Sequence, residues 1–129
     1  MSQLPSSGPA ALVRTMLEGL FTIGTEALDG HPGMHALREI FPTLKAAFPD
    51  LTIECQRQIV EGDQVASHWI LRGTHHGPLF GLAPTGKAVQ FQNLSIAQVV
   101  EGRVTQYNSE AGWLACFKQL GALPFPPRA

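Results

Sequence analysis

Apolar residues recur at two different spacings along the chain, and the spacing changes near its middle. In the first half, apolar side chains return every three or four positions, which is the period of an amphipathic helix. Ser7 and Pro9 are typical of a helix start, a capping hydroxyl followed by a first-turn proline. A second helical stripe covers residues 34–41. Pro42 is predicted to end it, with a separate short helix at 44–48.

In the second half, apolar and polar residues alternate, as they do in half-buried strands. The predicted strands are 51–60, 64–72, 89–100 and 103–108. Tight turns are predicted at Glu61-Gly62-Asp63 and at Glu101-Gly102. Ser109 is predicted to cap a closing helix over residues 110–120. The order of the elements is helices, then an antiparallel meander, then a closing helix. This order predicts an α+β fold whose helices cover one face of a curved sheet.

A segment rich in glycine and proline, residues 73–89, separates the second and third strands. It is too long for a tight hairpin, so it predicts a structured surface loop, and such loops often border a ligand site. His75 and His76 lie in it. Adjacent side chains point in different directions in extended chain, and no Asp, Glu or Cys lies within a few positions. A turn role is therefore favoured over metal ligation.

Composition narrows the class of protein. The 129 residues suit one domain, 1–129, with 1–8 expected to be frayed. The formal net charge of −1 and the lack of any Lys/Arg block argue against nucleic acid and anionic membranes as partners. No apolar run reaches the roughly 20 residues of a membrane span, and no signal peptide is evident, so a cytoplasmic protein is expected. Cys55 and Cys116 are expected to be buried free thiols.

Five sequence blocks together carry a resemblance to a known family. They are AAFPDL (46–51), VEGDQVASHW (60–69), GTHHGPLFGLAPTGK (73–87), VEGRV (100–104) and QLGALP (119–124). In this order and spacing, from about residue 31 to 124, they resemble the SnoaL-like polyketide cyclase family. That family belongs to the nuclear transport factor 2-like superfamily. The resemblance implies a conical barrel with a deep apolar pocket, frequent homodimers, and cofactor-free aldol ring closure driven by a carboxylate.

The catalytic positions of that family differ in this chain. The resemblance implies an aspartate nine residues before Gly121, and this position is Gly112. The histidine implied fourteen residues earlier is Gln98. The acidic and aromatic positions of the last strand fall on Gln106 and Asn108.

Glu110 and His68 are the candidate catalytic residues. Glu110 precedes Gly112 by two positions, so it shares the strand parity of that position, and an apolar pocket would raise the pKa of its carboxyl group. Alternatively it is a first-turn helix carboxylate that points to solvent. His68 is expected to face inward with Ile70, by analogy with limonene epoxide hydrolase. Alternatively it is a half-buried imidazole bonded to neighbouring backbone.

The same parity directs two amide side chains of the last strand inward and Tyr107 away from the pocket, unless a bulge reverses it. The candidate substrate-binding residues are Trp69, Ile70, Gln98, Gln106, Asn108 and Gly112.

Three functions remain open from the sequence. The first is a cofactor-independent cyclase, isomerase or epoxide-opening enzyme acting on a small apolar polyketide- or terpenoid-like substrate. The second is a non-catalytic binding protein for an apolar ligand, which Gly112 and Gln98 favour because neither can transfer a proton. The third is a structural or dimerisation domain. No metal or cofactor is implied, and a homodimer is expected.

Overall fold

The computed structural model describes residues 4–122. The expectations for residues 1–3 and for Pro124 lie outside that range. The elements are α1 (Gly8–Thr22), 3-10 turns at Thr25–Leu28 and Pro32–Met34, α2 (His35–Ala47), β1 (Thr52–Glu61), β2 (Gln64–Thr74), β3 (Ala88–Val100), β4 (Arg103–Ala111) and α3 (Trp113–Gln119). The predicted α+β class is confirmed, with helices before the sheet and one helix after it.

Helix α1 buries one stripe of residues at helical spacing. They are Ala10, Val13, Met16, Leu17 and Leu20. Ser7 occupies the N-cap position and Pro9 the first turn, as predicted, but the Ser7 hydroxyl makes no capping hydrogen bond.

Pro42 does not end the second helix, so the predicted break into two helices is wrong. Helix α2 runs through Pro42 from His35 to Ala47. Proline removes one backbone donor and strains the preceding turn. Pro42 is exposed, so water can solvate the backbone groups that it leaves free.

The four strands form one antiparallel sheet in the order β1-β2-β3-β4. The two tight turns lie where they were predicted, and Gly62 and Gly102 have the positive φ values of 58° and 75° that such turns favour. Strand β4 extends three residues further than predicted because Ala111 still pairs with Asn93. Ser109 is therefore a strand residue, and Gly112 takes the N-cap position of α3.

A β-bulge at Thr105 changes the parity of β4. Val104 pairs with Val99 on the neighbouring strand. Gln106 pairs with Gln98, so Thr105 between them has no partner. Its hydroxyl donates a 2.8 Å hydrogen bond to Gln98 Oε1. Such an extra residue turns the rest of the strand over.

The sheet has two different faces. We call "helix face" the side on which Val65, Trp69, Ala97 and Val104 are fully buried in the core together with the α1 stripe. We call "open face" the side that carries Ile59, Ala66, His68, Leu94 and Ile96. No helix covers it in the described residues, and Ile59, Leu94 and Ile96 are more than half exposed.

Three contacts fix the helical layer to the sheet. Gln58 on β1 donates a 2.9 Å hydrogen bond to Ala10 O in α1. At the other edge, His31 Nδ1 accepts a 3.0 Å bond from Val104 N–H. Burial lowers the pKa of His31, and so does the charge of Arg103, which keeps the imidazole neutral and able to accept. The Gln119 side chain in α3 bonds both backbone groups of Gln90 on β3, at 2.8 and 2.7 Å.

The loop between β2 and β3 is anchored at its base. His75 is fully buried, and its Nδ1 accepts a 3.2 Å hydrogen bond from Thr85 N–H. The backbone N–H of Gly77 donates to Ala47 O at the end of α2. His75 therefore has the loop role that the sequence favoured, and the loop is an ordered part of the fold.

Both cysteines are buried, as predicted. Cys55 and Cys116 are free thiols. Burial raises the pKa of both thiols, that of Cys116 to about 11, so neither is activated as a nucleophile.

None of the helices within residues 4–122 is long and apolar enough to cross a membrane.

Candidate functional site

Two concave regions on opposite sides of the sheet have mostly apolar linings. The first, the interior cavity, lies between the helices and the helix face and has a volume of about 60 Å³. The second, the open-face groove, is a wide depression of about 480 Å³ on the open face. The groove is larger, but its aliphatic walls are largely exposed, whereas the interior cavity is enclosed by the core.

Apolar side chains from every layer of the fold line the interior cavity. They are Leu17, Phe21, Leu37, Phe41, Leu44, Phe48, Leu51, Ile53, Leu71, Phe91, Ala111 and Trp113. Phe21 and Phe41 meet edge to face, with ring centroids 5.1 Å apart. The walls of the cavity are therefore apolar and rich in aromatic rings.

Three polar side chains, Asn93, Tyr107 and Ser109, complete the cavity lining. Burial raises the pKa of the Tyr107 phenol to about 12, against the opposing effect of hydrogen bonds with the Ser95 and Ser109 hydroxyls. The phenol therefore stays protonated at neutral pH and can donate a hydrogen bond. Tyr107 is the one ionisable side chain among the described residues that line this cavity. Sequence reasoning missed Asn93 and Ser109, and it placed Tyr107 on the other face.

The expected orientation of His68 and Glu110 toward the helix face is wrong, while their catalytic roles stay predictions. Both residues lie on the open face and line the groove there. His68 Nε2–H donates a 2.8 Å hydrogen bond to Gln92 Oε1. Glu110 is exposed on β4, where it pairs with Leu94. Neither side chain reaches the interior cavity, so neither can transfer protons within it.

Three further candidates were expected to face inward and lie on the open face instead. Gln106 and Asn108 are exposed on the open face, and Ile70 is half-buried there. The physical cause on β4 is the Thr105 bulge. Counting forward from buried Val104 in steps of two, without a bulge, directs residues 106, 108 and 110 inward. With the bulge, residues 107, 109 and 111 face the cavity instead.

The remaining candidates lie near the sheet but outside the cavity lining. Trp69 is fully buried on the helix face, and its Nε1–H donates a 3.1 Å hydrogen bond to Ser95 Oγ. Gln98 donates to Asp63 Oδ2 at 3.0 Å in the turn region. The backbone N–H of Gly112 donates to Gln92 O, and a Cβ at Gly112 would meet that oxygen at 3.4 Å, an ordinary contact. Their proposed substrate contacts stay predictions.

A signal in β2 could have given the correct parity. Val65, Trp69 and Leu71 form the larger apolar set, and they alternate with Ala66 and His68. The bulkier set marks the buried face of a strand. For β4, residue types alone do not reveal the bulge, since neither glycine nor proline marks it.

Similar folds occur among solved structures. AclR from Streptomyces galilaeus, a proposed hydroxylase, is 23% identical with a TM-score of 0.81, over 93% of this chain and 85% of that one. IdmH from Streptomyces antibioticus, a proposed polyketide cyclase, is 22% identical with a TM-score of 0.78, over 90% of this chain and all of that one.

A third similar structure, a proposed polyketide cyclase from Acidithiobacillus ferrooxidans, is 24% identical with a TM-score of 0.78, over 94% of this chain and 98% of that one. At these identities the similarity shows a shared fold. No curated protein matches the sequence.

The family comparison is more specific. The model of the SnoaL-like polyketide cyclase family matches residues 6–120, which include every helix and every strand described above. This chain belongs to the SnoaL-like polyketide cyclase family.

Proposed function

We propose that the protein is a cofactor-independent, cyclase-type enzyme that acts on a small apolar polyketide-like substrate in the interior cavity. The observation that carries the proposal is a single phenol, Tyr107, placed with Asn93 and Ser109 in an otherwise apolar cavity. The membership of a cyclase family supports the reaction class.

Tyr107 acts as a hydrogen-bond donor in this proposal. The substrate in this proposal is a β-dicarbonyl compound that enters the cavity as its enol. As the enol carbon bonds to the ketone carbon, the ketone π bond opens and negative charge grows on the ketone oxygen. The enol oxygen releases its proton to that oxygen, so no protein base is required. A protonated phenol in an apolar cavity stabilises the growing charge more strongly than water does, because little competing solvent is present. The apolar walls hold the two reacting carbons of the substrate together, which adds a further contribution to the rate.

The size of the cavity requires the protein to adjust around its ligand. Its volume of about 60 Å³ is far below the roughly 300–1,000 Å³ of typical ligand pockets. Half-buried side chains of the lining must therefore move when a ligand enters. The aromatic rings among them that can do so are Phe21 and Trp113, and the larger aliphatic side chains are Leu37, Leu44 and Ile53.

A binding protein for an apolar ligand is the second candidate. One observation favours it: among the described residues that line the cavity, no carboxylate or imidazole can act as a base. A carrier or sensor needs the apolar walls and the polar anchor but no proton acceptor.

An assay with Tyr107→Phe separates the two. The substrates are aromatic polyketide-type methyl esters that carry a ketone, and mass spectrometry follows ring closure. The enzyme proposal expects Tyr107→Phe to lose roughly a hundredfold in kcat, as is typical when one oxyanion donor is removed. His68→Gln on the open face is the matched control and should change kcat less than about threefold. Binding without turnover by the wild type would favour the carrier.

We also propose that the open face binds a second copy of this chain. The exposed aliphatic side chains of the face are 52–59% exposed: Ile59 on β1, and Leu94 and Ile96 on β3. Ala66 of β2 pairs with both Ile59 and Ile96, so it lies between them. A contiguous apolar patch of this kind is typical of an interface.

The charges on the open face suit self-association. One row across the four strands reads Arg57, His68, Leu94 and Glu110. A two-fold axis parallel to the strands reverses this row in the second copy, so that Arg57 faces Glu110 at both ends. In the next row, the same axis sets small Ala66 against large Ile96. Such self-complementarity is what a two-fold symmetric interface needs.

A further inference from the structure

Phe80 has an unusual backbone conformation at the tip of the β2–β3 loop. Its φ is +46°, in the left-handed region that bulky side chains rarely occupy. Its side chain is also 55% exposed. A strained and exposed phenylalanine persists only where the surrounding structure holds it, and such residues cluster at functional sites.

The residues around Phe80 hold the tip in place. Leu79 is fully buried, and its backbone exchanges hydrogen bonds of 2.9 and 2.8 Å with Leu82. Gly77 approaches α2 so closely that a Cβ there would lie 2.1 Å from Ala46 O. The tip is therefore fixed from both sides, and the strain at Phe80 is imposed by the loop.

The Phe80 ring packs against the outer wall of the interior cavity. It meets Trp113 edge to face, with ring centroids 5.4 Å apart and an interplanar angle of 87°. Trp113 packs in turn on Phe91 at 5.3 Å. Trp113 and Phe91 both line the cavity, whereas Phe80 does not. Phe80 therefore lies outside the cavity lining and packs against one of its members, Trp113.

Trp113 is one of the less buried side chains of the cavity lining. Phe48 and Leu51 in the same lining are buried, whereas Trp113 is half-buried. A ligand larger than the present cavity must displace a side chain of the lining, and a half-buried ring has more room to move outward than a buried one. Because Phe80 packs against Trp113, it resists the outward movement of that ring.

We propose that Phe80 is a positioning residue that braces Trp113 in the wall of the interior cavity and thereby limits the size of the ligand admitted. The proposal rests on the proposed function for the identity of the ligand. The brace itself is a property of the free protein and can be measured without any ligand.

The first test measures the accessibility of Trp113 by acrylamide quenching of tryptophan fluorescence. The chain has two tryptophans, and Trp69 is fully buried, so quenching reports mainly Trp113. Phe80→Ala should raise the quenching constant roughly twofold. Leu114→Ala is the matched control, because Leu114 is 57% exposed on the same helix as Trp113 and lies outside the cavity lining. Equal quenching in the two variants would overturn the brace.

The second test measures ligand size selection by calorimetric titration with 2-naphthol, a two-ring apolar probe with one hydroxyl. Phe80→Ala should bind 2-naphthol at least about threefold more tightly than the wild type, while Leu114→Ala should match the wild type. Raised quenching with an unchanged Kd would overturn the size limit. Raised quenching with no binding by any variant would uphold the brace and count against the proposed function.

Discussion

A single extra residue, Thr105, decides which side chains of β4 enter the interior cavity. Without it, alternation from buried Val104 would place Glu110 inside. With it, Tyr107 faces the cavity and Glu110 faces away. The chemistry available to the site therefore changes from a carboxylate base to a phenol donor.

The titration of Tyr107 tests its environment directly, because it is the one tyrosine in the chain. Its pKa of about 12 in the folded protein lies above the roughly 10 of an unfolded tyrosine. Absorbance at 295 nm should therefore show phenolate forming near pH 12 in buffer and near pH 10 in urea. A folded-state midpoint near 10 would show that the phenol is solvated and would contradict the buried donor.

The same shift predicts how stability depends on pH. The folded pKa is raised, so the stabilisation is fully present below about pH 10 and is lost as the pH rises from 10 to 12. A shift of two units corresponds to about 3 kcal/mol of unfolding free energy. Urea unfolding curves should show this loss in the wild type and lack it in Tyr107→Phe. Equal losses in both proteins would assign the effect to other groups.

Among the elements, the β2–β3 loop depends on a close approach that only glycine permits. Gly77 lies where a Cβ would meet Ala46 O at 2.1 Å, whereas a Cβ at Gly112 would meet its nearest atom at 3.4 Å. Gly77→Ala should therefore lower Tm by roughly 10 °C or more, and Gly112→Ala by less than about 3 °C. Thermal unfolding followed by circular dichroism compares them. Similar Tm values would show that the loop is not packed against α2 in this way.

The sequence predicted most elements because each has a local cause. Glycine turns at Gly62 and Gly102 and the apolar stripe of α1 need no tertiary information. The end of β4 and the helix through Pro42 were missed because long-range pairing and packing set them. Ser109 has a side chain that favours helix capping, yet the pairing of β3 with β4 continues past it to Ala111.

The candidate site was harder to predict than the fold. The family resemblance correctly indicated the α+β fold, but the orientation expected for His68 and Glu110 depended on strand parity. A one-residue bulge reverses the parity of the whole remaining strand. On β2, the inward orientation of His68 was taken from the analogy with limonene epoxide hydrolase, although the bulkier apolar side chains Val65 and Trp69 mark the other face as the buried one. The apolar lining of the cavity follows from the sequence pattern, whereas its three polar side chains, Asn93, Tyr107 and Ser109, do not.

For the whole molecule, the open face predicts a dimer that depends on Ile96 and on paired charges. Ile96→Lys places an unpaired charge in the apolar patch and should raise the dimer Kd at least about tenfold. Arg57→Glu should weaken the dimer, and the swap Arg57→Glu with Glu110→Arg should restore most of the affinity. Light scattering after size exclusion measures the mass, with Ile23→Lys, at a 68% exposed site in the C-cap of α1, as control. A wild-type monomer at micromolar concentration would contradict the dimer.

We place the ligand in the interior cavity and not on the open face. An NMR titration of the 129-residue protein with 2-naphthol, followed at the backbone amides and the side chains, distinguishes the two locations. We expect the largest shifts at the Asn93 side-chain amide and the Trp113 indole N–H, on the cavity lining. Shifts confined to His68, Leu94 and Ile96 would instead locate the ligand in the open-face groove and would rule out the interior site.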